Sequence, residues 1–378
     1  MPLFFIFASM NRKLPHTYRF LLPLSWVYGL VIWCRNFLYD VNLIRSKNYP
    51  VPVISVGNIT VGGTGKTPHI EYLIGLLHEK YRLAVLSRGY RRKTRHFMMG
   101  QTDSGVSDIG DEARQIKRKF PEVTVAVDRK RTRGIERLLK QDPPPDVILL
   151  DDAFQHRRVK PGLNILLIDC RRPISRDYLL PAGRLREHAM EKRRAHIIMV
   201  TKCPEKMTPM ERKIMINDTR PFPYQKIFFS TFRYADTVPV FPVDTKFPGK
   251  QVVKTENYQI LLVTGIANNR PLKKHIRGFQ PRFRELRFPD HHNYNLSDVK
   301  KIIAEFEELP GDKKLILTTE KDAMRLQEKS FPEYIRQNMY YVPVEVDILF
   351  GKSRTFNRHI LEYVRKNKRN SRLYTEQN

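Results

Sequence analysis

The sequence predicts an α/β protein with a mostly parallel sheet flanked by helices, followed by a second, smaller α/β domain. Three observations lead there. Short β-branched runs with little polar alternation recur from Pro50 onward, as when helices cover both faces of a parallel sheet. Most gaps between them leave room for a crossover helix. At 378 residues, the chain is long enough for two domains.

Residues 1–45 are expected to form a membrane-associated segment. MPLFFIFASMNRK places its apolar residues ahead of the basic ones, the wrong order for a secretory signal, and Met10 is a second candidate start. Phe20 to Cys34 (FLLPLSWVYGLVIWC) is apolar, but about fifteen residues are too few to cross ~30 Å of hydrocarbon as a helix. Trp26, Tyr28 and Trp33 suit a membrane–water boundary, and Arg12, Lys13, Arg19 and Arg35 suit anionic headgroups. The competing reading is a buried helix covering its own domain.

Residues 46–228 are expected to form the first domain. Its strands are Val53–Val56, Leu83–Leu86, Val123–Val127, Val147–Leu150, Ile165–Ile168 and Ile197–Val200. DTRPFPYQ (218–225) breaks the pattern, Ile227–Phe232 is extended, and prolines punctuate the next stretch. A second series, over 229–350, has strands at Ile260–Val263, Leu315–Leu317 and Tyr340–Val346. Residues 351–378 read as a basic, helix-like tail.

Lys plus Arg number 68 against 39 Asp plus Glu, a formal net charge of +29. Such a chain needs an anionic counterpart: nucleic acid, a membrane surface, or a phosphorylated or acidic substrate. No RNP, zinc-finger or basic-zipper pattern is present, so nucleic acid is not an expected partner. Cys34, Cys170 and Cys203 are too few and too scattered for a disulfide framework or a CxxC zinc site, and fit a reducing cytosol.

The strongest motif is SVGNITVGGTGKTP (55–68). A buried-type strand runs in; a helix with Ile70, Leu73, Ile74 and Leu77 on one face runs out, and Pro68 fits its first turn. Thr60, Val61, Gly62, Gly63, Thr64 and Gly65 are expected to wrap a phosphate with backbone amides at a helix N-terminus. Lys66 is placed to bridge β- and γ-phosphate oxygens, and the Thr67 hydroxyl to ligate Mg²⁺. This makes the first domain P-loop NTPase-like. The strict GxxxxGK[ST] pattern has Gly where this chain has Thr60.

Three acidic or histidine-bearing segments follow. The strand Val147–Leu150 ends in Asp151 and Asp152, where phosphoryl-transfer enzymes keep a carboxylate for the metal or its water shell. Asp111 and Glu112 precede a helix (113–118); Asp111 reads as an N-cap or as the carboxylate that accepts a hydroxyl proton. FPDHHNY (288–294) exposes His291 in a turn, with no supporting third ligand for a metal.

Together with SRGYRR (87–92), GDE (110–112), DDAFQHRR (151–158), LLPAGRLRE (179–187) and TTEKDAMRL (318–326), these motifs occur in an order that resembles the tetraacyldisaccharide 4′-kinase family, over roughly residues 18–350. The resemblance implies a two-domain P-loop kinase, peripheral on the cytoplasmic face of the bacterial inner membrane. It implies ATP and Mg²⁺, a lipid disaccharide 1-phosphate as substrate, an anionic membrane surface as partner, and no obligate protein partner. It implies Asp111 as general base and His291 as its dyad partner from the other domain, with domain closure joining them only when substrate is bound. It further implies Thr67, Glu112, Asp151 and Asp152 around the metal, and Arg88, Arg184 and Glu187 near the substrate. His188 and Ala153 depart from the family's usual Pro and Gly. The alternative is a membrane-positioning P-loop ATPase of the deviant Walker A type, whose signature lysine would fall where this chain has Val61.

Overall fold

The computed structural model describes residues 20–375 apart from 91, 93, 243 and 244, with side chains described as far as residue 368. The candidate alternative start at Met10 and the cations Arg12, Lys13 and Arg19 lie outside the described residues. The strands are β1 (Val53–Gly57), β2 (Leu83–Ser87), β3 (Met98–Gly100), β4 (Thr124–Val127), β5 (Val147–Asp151), β6 (Leu163–Asp169) and β7 (Ile197–Thr201). They continue as β8 (Lys226–Tyr234), β9 (Val238–Pro239), β10 (Gln259–Thr264), β11 (Arg284–Arg287), β12 (Lys314–Thr319), β13 (Met339–Val342) and β14 (Val344–Ile348).

The first sheet has the order β14-β8-β7-β6-β1-β5-β2-β4-β3, with antiparallel pairing only at its edges, β14 on β8 and β3 on β4. Both faces are covered, as the unalternating runs require. On β5, Val147 and Leu149 enter one core cluster, while Ile148 and Leu150 enter another on the opposite face. The second sheet has the order β11-β10-β12-β13-β9, with only β9 antiparallel.

The chain crosses between the sheets differently from the sequence reading. A boundary after residue 228 would cut β8, which pairs with β7 in the first sheet. The single strand expected over 340–346 breaks at Pro343: β13 completes the second sheet, and β14 returns to pair with β8. Proline cannot donate to a ladder, so a strand that must change sheets breaks there. The second lobe is thus an excursion out of and back into the first sheet. The basic, helix-like C-terminal segment is built into the fold. It forms the helix Ser353–Thr375, whose Phe356, Ile360 and Val364 recur every fourth residue and lie in the core beneath β1 and β6.

The helix Leu22–Asp40 packs on the loop that carries LLPAGRLRE. Ser25 donates its hydroxyl to the Leu179 carbonyl (3.0 Å) and Tyr28 to that of Arg186 (2.8 Å). Its other side leaves Leu24, Val27, Leu30, Val31, Trp33 and Phe37 exposed, Val27 by 63% and Val31 by 61%. Their spacing of three and four residues makes one apolar face. Among the described residues, no helix is long and apolar enough to cross a membrane.

Candidate active site

The site lies at the carboxyl ends of β1 and β5, neighbours at the centre of the first sheet, where open α/β sheets hold ligands. The loop after β1 delivers the phosphate motif to the helix Lys66–Leu77. Its last glycine, Gly65, has φ 88°, and a Cβ there would meet the Phe232 ring at 2.3 Å. Glycine is therefore required by conformation and by space. Next door, the buried His69 fixes this turn, with Nδ1 2.7 Å from the Gly65 carbonyl and Nε2 3.0 Å from the Ser230 hydroxyl. Burial pulls its imidazole down to about 4, so it is neutral here.

Where the strict pattern has glycine, Thr60 forms an antiparallel bridge to Leu185, and the Val61 N–H donates to the Arg184 carbonyl at 2.7 Å. The loop's opening is thus shaped against the LLPAGRLRE segment. Asn58 spans it from inside, donating to the Thr64 hydroxyl at 2.8 Å, while the Thr201 hydroxyl donates to the Thr64 carbonyl at 2.9 Å. Lys202 donates its ammonium to the Gly63 carbonyl.

Lys66 Nζ lies 3.6 Å from the Asp152 carboxylate, which Arg186 also approaches, at 3.3 Å. Burial would raise the Asp152 carboxyl, but the charges of Lys66 and Arg186 outweigh it and hold it low. Asp151 behaves oppositely. Burial, then the charges of Glu112 and Asp152, push it up to about 7 against Lys66 and Arg131. Its Oδ1 is buried with no hydrogen-bond partner among the described residues. A carboxylate with an unmet oxygen among like charges is short of a cation. Those residues include no group of three or more His, Cys, Asp or Glu arranged to hold an ion alone. Mg²⁺ keeps several waters and takes one or two protein ligands plus substrate phosphates. Asp151 and the buried Thr67 beside Lys66 suit that role by donor chemistry. Glu112 is also engaged, pairing with Lys321 at 2.7 Å.

The second lobe completes the site. Asp111 is the first residue of the helix Asp111–Lys119, not its cap; Gly110, at φ 86°, holds that position. Asp111 Oδ2 accepts from His291 Nδ1 at 3.1 Å and from Arg325 Nη2 at 2.5 Å, while Oδ1 accepts the Glu112 N–H at 3.0 Å. Burial opposes ionisation of Asp111. The His291 hydrogen bond and the Lys321 and Arg325 charges overcome it and hold the carboxyl far below the usual range. Contact between the lobes rests on side chains of the chain itself: Arg118 donates to the Val240 carbonyl at 2.8 Å and to Gln327 at 2.9 Å, and Arg114 pairs with Glu328. These contacts accompany the juxtaposition of Asp111 and His291, the pairing that the sequence reading expected from closure of the two lobes.

The residues expected near the substrate divide. Arg88, just past β2, is exposed; burial first, with the Arg88 charge as a lesser cause, lowers both Arg131 and His156. Arg184 is exposed and touches the phosphate loop through its backbone. Glu187 is placed otherwise than as a substrate contact. It is fully buried, paired with Arg35 (2.6 Å) and with Arg194, and ties the helix Leu22–Asp40 to the site's floor. Sequence reasoning assigned no role to Asn58, Arg186 or Arg325, and read Lys202 and Lys321 only as parts of strand ends, Thr201-Lys202 and Thr319–Asp322, that resemble base-reading ones. Lys321 and Arg325 both lie within TTEKDAMRL.

A glycine-rich loop ending in Lys-Thr, an unmet carboxylate beside it, and a carboxylate–imidazole pair across two lobes define a P-loop phosphotransferase. Comparison with known proteins narrows the class. The family model for tetraacyldisaccharide-1-phosphate 4′-kinase matches residues 17–365, and the chain belongs to that family of ATP-dependent kinases of lipid A biosynthesis. It is 46% identical over 365 residues to the tetraacyldisaccharide 4′-kinase of Phocaeicola vulgatus, covering 96% of this chain and 99% of that one. The enzyme of the same name from Bacteroides thetaiotaomicron is 46% identical over 376 residues, covering 98% and 99%. Among solved structures, the LpxK protein of Aquifex aeolicus, crystallised in complex with ATP, superposes with a TM-score of 0.71 at 29% identity, covering 92% of this chain and 99% of that one.

Proposed function

We propose that the chain transfers the ATP γ-phosphate to the 4′-hydroxyl of a tetraacyldisaccharide 1-phosphate, with Asp111 as the base that readies the hydroxyl. The observation that carries this reading is the pairing of Asp111 with His291 across the lobes, with the adjoining Glu112 near enough to Asp151 to help raise its carboxyl. Asp111 takes the hydroxyl proton as the sugar oxygen attacks the γ-phosphorus, the bond from that phosphorus to the bridging oxygen breaks, and ADP departs. The imidazole of His291 orients the carboxylate. Lys66 meets charge developing on the transferred group, and the amides from Thr60 to Gly65 hold the remaining phosphates. Thr67 and Asp151, with Asp152 and Glu112, would hold Mg²⁺, which would supply neutralisation of phosphate charge. Arg88 and the Arg184 side chain face the lipid's anionic end.

The lipid substrate ties the reaction to a membrane, and the apolar face of the helix Leu22–Asp40 supports contact with an anionic bilayer surface, at the cytoplasmic face of the inner membrane. Aromatic residues on that face and an excess of cations over the whole chain favour such a surface. The test is a thin-layer assay with radiolabelled ATP and the disaccharide 1-phosphate lipid. A labelled bisphosphorylated lipid is expected; ATP turnover indifferent to the lipid but raised by a protein partner would favour the positioning-ATPase reading instead.

A further inference from the structure

Arg325 lies on the helix Glu320–Leu326 of the second lobe, with its side chain buried. Nη2 donates to Asp111 Oδ2 at 2.5 Å, and Nη1 donates to Asp322 Oδ1 at 3.1 Å. Asp322 Oδ2 accepts the Gly265 N–H at 2.9 Å, and the Gly265 carbonyl accepts the His291 N–H at 3.0 Å. His291 closes the circuit on Asp111. The ring Asp111–Arg325–Asp322–Gly265–His291 thus runs through both lobes. It also contains a strained member: His291 has φ 56°, a left-handed conformation that persists in a non-glycine residue only where its surroundings over-determine it. Arg325 Nη2 lies 3.2 Å from His291 Nδ1. A guanidinium has no acceptor, so an Nδ1–H must point to the same Asp111 oxygen that Arg325 already binds.

We infer that Arg325 is a positioning residue for phosphoryl transfer: its fork fixes the Asp111 carboxylate against His291 and leaves Oδ1, which accepts the Glu112 N–H, with a lone pair for the sugar hydroxyl. The inference rests on the reading of Asp111 as the base. Two carboxylates engage the guanidinium, so it is not a ready site for a substrate phosphate. A planar fork serves two carboxylates at fixed angles, which a single ammonium does not.

The test is steady-state kinetics on Arg325→Gln, Arg325→Lys, Asp111→Asn and the double variant Asp111→Asn/Arg325→Gln, each checked for its thermal transition. Arg325→Gln should lower kcat about 10–100-fold, the scale of a misplaced catalytic group, with KM for lipid and ATP within about threefold. Arg325→Lys should restore part of the rate. In the Asp111→Asn background, Arg325→Gln should change the residual rate less than about twofold, because its effect passes through the missing carboxylate. A full second loss in the double variant, a wild-type kcat in Arg325→Gln, or a defect confined to the lipid KM would overturn the inference. A near-normal rate in Asp111→Asn would instead overturn the base reading itself. Should Arg325→Gln not fold, Asp322→Asn decides the matter: it frees the far end of the fork, and an unchanged kcat there refutes the role.

Discussion

His291 Nδ1 lies 3.1 Å from Asp111 Oδ2, although 180 residues separate them and each belongs to a different lobe. The first lobe brings the carboxylate to the phosphate loop; the second brings the imidazole, and with it Lys321 and Arg325.

Replacing Asp111 by Asn should lower kcat by about 10²–10⁴-fold, the usual contribution of a general base, and leave ATP affinity nearly unchanged. Nucleotide titration alongside steady-state kinetics separates the two. Weakened ATP binding with normal turnover at saturation would place Asp111 in the nucleotide site instead.

Lys66→Ala should be more damaging than Asp111→Asn, because the ammonium meets both bound and transferring phosphate. A loss in ATP affinity and a loss in kcat are expected together. Only the first would mean that Lys66 anchors nucleotide without helping transfer.

Gly65→Ala should abolish nucleotide binding while the sheet still folds. The new methyl would sit at φ 88° and 2.3 Å from the Phe232 ring, forcing the loop to open. Isothermal titration with ATP reads this directly; wild-type affinity would show that the turn is not fixed as described.

Glu320 ties stability to pH. Burial, then the charge of Glu71, raise its carboxyl from 4.5 to about 7 despite Lys119. A folded value above the unfolded one means its stabilising contribution is complete below about pH 4.5 and is lost as pH climbs through 7. Tm should therefore decline from pH 5 to pH 8. Glu320→Gln should flatten the decline, raising Tm at pH 8 by about 2–5 °C. Parallel profiles for the two proteins would exclude Glu320 as the source.

Val27→Ser with Val31→Ser should weaken binding to anionic vesicles about tenfold or more without lowering Tm, since both residues are exposed and offer only apolar surface. Added salt should weaken binding further. Sedimentation with vesicles measures both effects; unchanged binding would move the membrane contact to another surface.

The sequence made the first sheet legible because its strands are buried on both faces and so read as uninterrupted apolar runs. Val53–Val56 and Val147–Leu150 were found within a residue of β1 and β5. The excursion was not legible: Pro343 separates two strands that are contiguous in sequence but lie in different sheets, and no local pattern reports a partner. The phosphate loop could be read because its chemistry is local. Asp111 and His291 were singled out by a motif resemblance, since nothing in either segment alone distinguishes a base from a helix start. Arg325 escaped notice for the same reason: its partners Asp111 and Asp322 give it meaning, and one of them lies 214 residues away.

The most direct measurement of the central claim is the position of the transferred phosphate. Wild-type protein, Asp111→Asn and His291→Ala should each be given γ-labelled ATP and tetraacyldisaccharide 1-phosphate, and the lipid product treated with mild acid to strip the glycosidic 1-phosphate. The account predicts label that survives this treatment in the wild-type product, and at least about a hundredfold less of it from Asp111→Asn, with nucleotide binding intact. Label released with the 1-phosphate, or equal labelling by all three proteins, would contradict it.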